Sequence, residues 1–312
     1  MLATFESTLP IFLLLVAGNV LRRLPLVDDA AWPGLEKLGF WFLYPALLFV
    51  TILNADFSGL QLDAMILALV LSIVAMGALT LSLWPVLRAG GLATAPEFSS
   101  IFQTSVRWNG FMALAIAERI FPAAGVAVVA VVMAAIIIPI NVQSVAVVTR
   151  FADRSAPWGY VVRSVARNPL ILASTAALVL RAAPFDLYGP LNQTFDLVGR
   201  AALGMGLLTI GAGLRPSEML RPRMAVWIPV VLKLAVYPAL LIGLAMLCGV
   251  TGPELRYLAL CAAVPTAMNG FLLARQLGGD AELYATVTTL QTAVSFLSIP
   301  AVLTLVAYIG SG

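Results

Sequence analysis

Two Asn-Gly pairs lie inside strongly hydrophobic segments of this 312-residue chain, at Asn109-Gly110 and Asn269-Gly270. Both residue types tolerate positive φ, but a bare turn within lipid leaves backbone donors and acceptors without partners and is stable only beside a cavity. Asparagine amides donate and accept hydrogen bonds, and the first turn of a helix carries partial positive charge. The pattern therefore predicts two broken membrane helices whose ends form an anion-binding site.

Arg107 lies two residues before Asn109, at a depth where an unpaired guanidinium costs about 2.5–3.5 kcal/mol. A guanidinium can hold a carboxylate through two parallel hydrogen bonds, so Arg107 is predicted to attract an anionic substrate. The alternative is a structural arginine that snorkels or pairs internally, with Glu118 or a loop carboxylate as partner. Because Ala267 stands at the same offset before the second Asn-Gly pair, the predicted site is asymmetric.

Further polar and small residues flank the two predicted breaks. Ser105 precedes the first break, and Pro265 and Thr266 precede the second, while Gly110 and Gly270 are predicted to permit a close crossing of the broken helices. Polar side chains in neighbouring hydrophobic segments either line the cavity and bind a coupling ion or join helices by hydrogen bonds. These candidates are Gln103, Thr104, Asn141, Gln143, Thr288, Thr289, Gln291 and Ser295.

The composition indicates an all-α polytopic membrane protein. Hydrophobic residues make up 61% of the chain, charged residues only 11%, and the mean hydropathy is +1.00. The chain has no histidine and only two cysteines, which disfavours metal sites and most nucleophile-base schemes. We therefore expect no enzyme, no cofactor and no bound metal. The formal net charge of +3 comes from scattered basic residues, so a nucleic-acid partner is not expected either.

Hydrophobic segments of about 20 residues predict ten membrane spans. The fourth and ninth are the broken ones. Their approximate limits are 8–24, 34–54, 62–88, 98–120, 124–149, 158–183, 191–214, 223–249, 255–277 and 282–309.

The two halves of the chain show weak internal similarity. Pro10 recurs as Pro169, displaced by 159 positions, and Pro139 recurs as Pro300, displaced by 161. Asn109 and Asn269 are displaced by 160. Because each half holds an odd number of spans, the second must enter the membrane in the opposite orientation. The sequence thus predicts a five-plus-five inverted repeat of residues 1–153 and 154–312.

The distribution of basic residues predicts the membrane orientation. Of the 18 lysines and arginines, twelve fall in loops after odd-numbered spans and four in loops after even-numbered spans. Lysine and arginine accumulate on the cytoplasmic side, so both termini are predicted to be extracytoplasmic. The other two are Arg107 and Lys233, both placed inside spans, and Lys233 is expected to snorkel toward the membrane surface.

Four stretches carry a resemblance to a known family: Phe42–Phe49, Asn109–Met112, Pro265–Phe271 and Ser295–Pro300. With them the chain resembles the auxin efflux carrier family, which includes bacterial malonate and malate permeases and is related to plant PIN proteins. The resemblance extends over essentially the whole chain. The chain lacks the long cytoplasmic loop of the plant carriers, which points to a bacterial-type member in the inner membrane.

The resemblance implies a fold and a mechanism. The fold is that of the bile-acid-symporter and Na⁺/H⁺-antiporter group, with spans four and nine crossing. Spans 1, 2, 6 and 7 would form a scaffold domain and spans 3–5 and 8–10 a transport domain that moves as an elevator, often within a homodimer. The crossover asparagines of the family line the substrate site, which carries over onto Asn109 and Asn269. Val106, Arg107 and Trp108 stand where family members commonly have a proline, so auxin specificity is not assumed.

Taken together, the sequence predicts a secondary active or facilitative transporter of small organic anions, such as mono- and dicarboxylates or auxin-like acids. Its partners would be the substrate, the lipid bilayer and a second copy of the chain. Coupling to Na⁺ or H⁺ stays open. The alternatives are a Na⁺-coupled symporter of larger amphipathic anions and a membrane receptor that does not transport.

Overall fold

The computed structural model describes residues 2–151, 159, 162–163, 166–184, 187–217 and 223–309. Within these residues the elements are helices joined by short connections, and no strand occurs. The helices are α1 (Leu2–Arg23), α2 (Trp32–Leu38), α3 (Tyr44–Leu53), α4 (Leu62–Ser82), α5 (Trp84–Ala89), α6 (Ala95–Val106), α7 (Gly110–Ile120), α8 (Ala123–Phe151), α9 (Pro169–Arg181), α10 (Gly189–Gly213), α11 (Met224–Val231), α12 (Tyr237–Leu247), α13 (Gly252–Ala263), α14 (Asn269–Leu277) and α15 (Ala281–Ile309).

Seven helical segments in the described part of the chain are long and apolar enough to span a bilayer. Three of them are composite: α4 continues into α5 past Leu83, while α2 runs into α3, and α11 into α12, through a single π-helical turn. Shorter helices make up the rest: α9 is apolar, while α6–α7 and α13–α14 are pairs separated by irregular backbone. The protein is therefore an integral, polytopic, all-helical membrane protein, as the composition predicts.

The two π-helical turns have the same local cause. Each is followed by a Tyr-Pro pair, at Tyr44-Pro45 and Tyr237-Pro238. Proline has no N–H, so it cannot donate to the carbonyl four residues earlier, and the turn before it widens. Accordingly the Tyr44 N–H bonds to the Gly39 carbonyl, five residues back, instead of closing an α-helical turn.

Helices α1 and α10 pack closely through glycines. A Cβ atom placed on Gly211 would overlap the backbone carbonyl of Leu15 and lie 2.8 Å from its Cα, and a Cβ on Gly18 would meet the Leu208 backbone in the same way. The Asn19 side-chain amide donates to the Gly211 carbonyl at 3.1 Å. Two backbones in direct contact leave no space for a side chain, so this pair forms a rigid part of the bundle.

Candidate functional site

The first helix interruption separates α6 from α7. Helix α6 begins with a capping box, in which the Thr94 N–H donates to Glu97 Oε2 at 2.8 Å and the Glu97 N–H donates to Thr94 Oγ1 at 3.4 Å. It ends where Arg107 adopts extended backbone angles, φ −72° and ψ 156°. Helix α7 then starts from Asn109, whose Oδ1 accepts a hydrogen bond from the Met112 N–H at 3.1 Å. Asn109 is thus an N-cap, and its side chain is buried.

The second interruption, between α13 and α14, is built differently. Val264 leaves the helix in an extended conformation, and α14 begins with Asn269 as its first helical residue. The N-cap is Met268, which has no side-chain capping bond. Asn269 does not cap its half-helix, in contrast to Asn109, and its side chain is exposed. The sequence suggested two equivalent asparagines, whereas the structure gives them different positions and leaves Asn269 accessible.

A backbone hydrogen bond joins the two interruptions directly. The Asn109 N–H donates to the Pro265 carbonyl oxygen at 2.7 Å. Both groups are available because the helices stop there: neither the first residues of α7 nor the last of α13 can complete their hydrogen bonds within a helix. The two irregular segments are therefore in contact inside the hydrophobic bundle, each satisfying part of the other's backbone.

Gln291 of α15 satisfies three more backbone groups around the breaks. Its Nε2 donates to the Thr104 carbonyl at 3.0 Å and the Pro229 carbonyl at 2.9 Å, while its Oε1 accepts from the Thr266 N–H at 2.9 Å. The residue is fully buried. Gln291 therefore holds α6, α11 and the second break together, and its amide has its hydrogen bonds inside the protein.

Replacing Gln291 with leucine is expected to destabilise the protein strongly. The change leaves the Thr104 carbonyl and the Thr266 N–H buried without the Gln291 amide, and each such group costs about 1–3 kcal/mol. The Pro229 carbonyl loses the same amide but keeps the Leu232 N–H. Thermal unfolding of the detergent-solubilised protein measures the loss. Gln103→Leu is the matched control, because the equally buried Gln103 amide has no hydrogen-bond partner among the described residues, so leucine there should be neutral or stabilising. Equal destabilisation by both changes would contradict this role of Gln291.

Arg107 points its guanidinium at amide oxygens and not at a carboxylate. Its Nη2 donates to Asn141 Oδ1 at 2.9 Å and its Nη1 donates to Asn269 Oδ1 at 3.4 Å. The buried Nε has no hydrogen-bond partner among the described residues. No carboxylate of that part of the chain forms an ion pair with it, so the alternative of a partner such as Glu118 finds no support in this conformation. Neutral amide groups therefore surround the Arg107 charge, and the guanidinium still has N–H donors that can bind a ligand.

A cavity of about 390 Å³ opens beside Arg107. Asn141 and Asn269 line it, together with Gly110, the first residue of α7. The rest of its wall is apolar and aromatic: Phe40, Trp108, Phe111, Met133, Ile136, Ile137, Ile140, Val145, Leu170, Leu272 and Leu273, with Ala267 and Asn168. Among the residues that the structure describes, Arg107 is the only charged one in this lining. The site thus combines one cation with a mostly apolar wall.

The structure brings four of the predicted site residues to this cavity, namely Arg107, Gly110, Asn141 and Asn269. Other candidates bond elsewhere. The hydroxyl groups of the threonines and serines donate to carbonyls of their own helices three or four residues earlier, so they compensate for the apolar surroundings within one helix. These residues are Thr104, Ser105, Thr288, Thr289 and Ser295.

The two glycines each leave space that a side chain of a neighbouring helix fills. A Cβ on Gly110 would lie 2.9 Å from the Met133 side chain of α8, and a Cβ on Gly270 would overlap the ring of Tyr284 on α15. Each glycine therefore admits a large side chain from a neighbouring helix. Tyr284 in turn donates its hydroxyl to the Ala267 carbonyl at 2.6 Å and lies 3.4 Å from Thr266 Oγ1, which orders the second break.

Sequence reasoning missed several residues of the cavity wall. Phe40 and Asn168 come from elements far from either Asn-Gly pair. Asn168 had a local signal, since it precedes Pro169 and caps α9 by accepting from the Leu170 N–H at 2.9 Å. Phe111 stacks on Tyr44 with ring centroids 3.5 Å apart, a contact that no local pattern announces. Gln143 lies outside the lining, and its Oε1 is buried without a partner in the described structure.

Lys233 corrects a prediction. It was expected to snorkel to the surface but is fully buried in the π-helical turn before α12. Its Nζ donates to the Ala262 carbonyl at 2.9 Å and lies 4.2 Å from the centroid of the Tyr237 ring. The Ala262 carbonyl belongs to the last turn of α13, where the helix dipole is negative, so the ammonium stabilises the helix end at the second break.

These features define a class: a polytopic membrane protein in which two interrupted helices meet beside a cavity that contains one buried cation. A sequence model of the family described as "Membrane transport protein" matches residues 141–303, more than half of the chain. The chain belongs to this family, which confirms the resemblance predicted from its motifs.

Relatives of known sequence support the same assignment. The chain is similar to the uncharacterized transporter YfdV of Escherichia coli K12, with 24% identity over 299 residues that cover 93% of this chain and 92% of the relative. YfdV of Escherichia coli O157:H7 and of Shigella flexneri match equally, at 24% identity. Because the similarity covers nearly the full length of both proteins, it concerns the whole architecture and not one segment.

Proposed function

We propose that this protein is a secondary transporter of small organic anions, which bind at Arg107 in the cavity between the two interrupted helices. The observation that carries the proposal is the buried guanidinium with an unpartnered Nε and no carboxylate partner among the described residues. A bound carboxylate would supply the missing counter-charge, and the exposed Asn269 amide would hold it from the second half-helix.

The proposed architecture has ten spans. The seven long helical segments, the shorter apolar α9 and the two interrupted pairs add up to that number. Corresponding elements of the two halves have similar lengths, which supports an inverted repeat: α8 and α15 each have 29 residues with one internal proline, and α6 and α13 each have 12.

The proposed mechanism is alternating access by an elevator movement in the bacterial inner membrane. Spans 3–5 and 8–10 would carry the site past a scaffold of spans 1, 2, 6 and 7, within a homodimer whose termini are extracytoplasmic. The close α1–α10 contact supports a rigid scaffold. The Asn109–Pro265 bond supports movement of both interruptions as one body.

Within organic anions, the cavity wall favours monocarboxylates with an apolar or aromatic body over dicarboxylates. One guanidinium can neutralise one carboxylate, and the described residues of the lining include no second cation to receive another. A second carboxylate would lie against a wall that is mostly apolar, such as Phe40 and Phe111, and would bear the cost of burying a charge without a cation beside it. The same wall supports the second candidate, a Na⁺-coupled carrier of larger amphipathic anions.

The charge of Arg107 also affects whether the elevator movement is more favourable with an empty or an occupied site. An empty site would carry the bare Arg107 charge across the hydrophobic part of the protein, whereas a bound carboxylate cancels it. We therefore expect exchange of internal for external anion to be faster than net efflux.

The test is a transport and binding series on the wild-type protein. Purified protein is screened by thermal shift against aromatic monocarboxylates, dicarboxylates, bile acids and the neutral amides of the same acids, because a ligand that binds the folded state raises its melting temperature. Compounds that bind are then followed in proteoliposomes with Na⁺ or choline, with and without a pH gradient.

We expect a monocarboxylate to stabilise the protein and its amide not to do so. Flux of that monocarboxylate without Na⁺ supports the proposal, and flux only with Na⁺ of a bile-acid-like compound would favour the second candidate. Specific binding with no flux in either direction would indicate a receptor and overturn the proposed transport.

A further inference from the structure

A second cavity, of about 520 Å³, lies at one end of the helical bundle and is separate from the Arg107 site. Helix α5, the following loop and the start of α6 form one side of it, and the last turn of α8 forms the other. Its principal lining residues are Trp84, Arg88, Thr94, Arg150 and Phe151.

Two guanidinium groups give this cavity a positive charge. Arg88 lies in the last turn of α5 and Arg150 in the last turn of α8, and both are exposed. Neither forms an ion pair with a carboxylate of the described residues. Glu97, one turn into α6, is already engaged by the Thr94 cap and by Arg223, whose Nη1 lies 2.8 Å from Glu97 Oε1. The cavity can therefore accept an anion without displacing an existing partner.

Aromatic rings give the cavity the character of a membrane interface. Trp84 packs against Phe98 and Phe151 with ring centroids 4.8 and 5.0 Å apart, and the Arg88 guanidinium carbon lies 5.9 Å from the Trp84 ring centroid. Tryptophan is enriched at headgroup depth in membrane proteins, with arginine beside it reaching the phosphates.

Exposed apolar side chains also occur on α4 and on α5, the helix that carries Trp84 and Arg88. Val86 is 66% exposed, and Leu79 and Leu81 are 39% exposed each. In a membrane protein such residues face acyl chains. Two arginines at the cavity, with lipid-facing apolar side chains on the adjoining helices, fit a phospholipid better than a free anion.

We propose that this cavity binds the headgroup of an anionic phospholipid, with the phosphodiester between Arg88 and Arg150 and the acyl chains in the surrounding bilayer. Guanidinium groups hold phosphate oxygens through paired, charge-assisted hydrogen bonds. The lipid would connect α5, α6 and α8, and α6 leads directly to the first helix interruption. The site is independent of the substrate proposed for the Arg107 cavity.

The experiment compares lipids by thermal shift and by native mass spectrometry of the full-length protein. Detergent-solubilised protein receives phosphatidylglycerol, phosphatidylcholine or inorganic phosphate at equal concentration. The test variant is Arg88→Gln with Arg150→Gln. The control variant is Arg23→Gln with Arg275→Gln, which removes the same charge at two exposed arginines outside both cavities.

We expect phosphatidylglycerol to raise the melting temperature more than phosphatidylcholine, with retained lipid adducts in the mass spectrum. The test variant should lose at least half of this extra shift and its adducts, while the control variant keeps them. Equal losses in both variants would show a nonspecific charge effect, and an equal shift by inorganic phosphate would show a site for soluble anions. Either result overturns the proposal, as would equal stabilisation by the two lipids.

Discussion

Replacing Arg107 with glutamine is expected to weaken binding of the transported anion roughly 10- to 100-fold without lowering the stability of the protein. Hydrogen bonds to charged groups contribute about 1.5–3 kcal/mol, and about 1.4 kcal/mol corresponds to a tenfold change in affinity. The folded protein loses two hydrogen bonds to amides but is also relieved of a buried charge without a carboxylate partner. Ligand-induced thermal shift and proteoliposome flux measure the first effect, and the melting temperature without ligand measures the second.

Measuring both anion affinity and melting temperature distinguishes an arginine that binds the substrate from one that only stabilises the fold. If Arg107 served mainly to tie Asn141 to Asn269, glutamine would lower the melting temperature and affect acids and their neutral amides alike. Arg200→Gln is a suitable control, because Arg200 forms only an exposed pair with Asp196, and such pairs contribute little. Undiminished anion transport by Arg107→Gln would refute the proposed binding site.

Alanine at Gly211 is expected to destabilise the protein by about 3 kcal/mol or more and to prevent recovery of folded protein at 37 °C. The new methyl group would overlap backbone atoms of Leu15, so a change of rotamer cannot relieve the contact and α1 must move away from α10. The separation would also break the bond from the Asn19 amide to the Gly211 carbonyl. Yield of monodisperse protein in size-exclusion chromatography and its melting temperature are the measurements.

Gly204 of the same helix offers a matched control. A Cβ atom there meets nothing within 4 Å, so Gly204→Ala adds helix propensity without a clash. We expect it to be neutral or to stabilise the protein by up to about 1 kcal/mol. The prediction fails if both alanine variants behave alike.

Local sequence signals predicted the interruptions well. An Asn-Gly pair in a hydrophobic segment has few stable environments in a membrane, and the helices do stop at both places. The capping role of Asn109 follows from the same local chemistry. Asn269 differs because α14 begins one residue earlier relative to its Asn-Gly pair, with Met268 in the N-cap position.

Contacts between segments far apart in the sequence could not be predicted from local patterns. Nothing near Arg107 in the sequence indicates Asn141 as its partner, because the two are 34 residues apart on different helices. The stripe of threonines on α15 suggested a polar lining, but hydroxyl groups in apolar surroundings find acceptors on their own helix first. Nor does the sequence near Gly110 indicate that Met133 of α8 fills the space beside this glycine. Such outcomes depend on which helices become neighbours.

The Asn109–Pro265 bond has a genetic consequence. It joins an N–H to a carbonyl, so both partners belong to the main chain and are encoded by no particular codon. Any residue at position 265 keeps the acceptor, and only proline at position 109 deletes the donor. In a mutational scan of positions 109 and 265, only Asn109→Pro will therefore remove this hydrogen bond. The side chains at both positions can change in evolution while the bond between the two main chains remains.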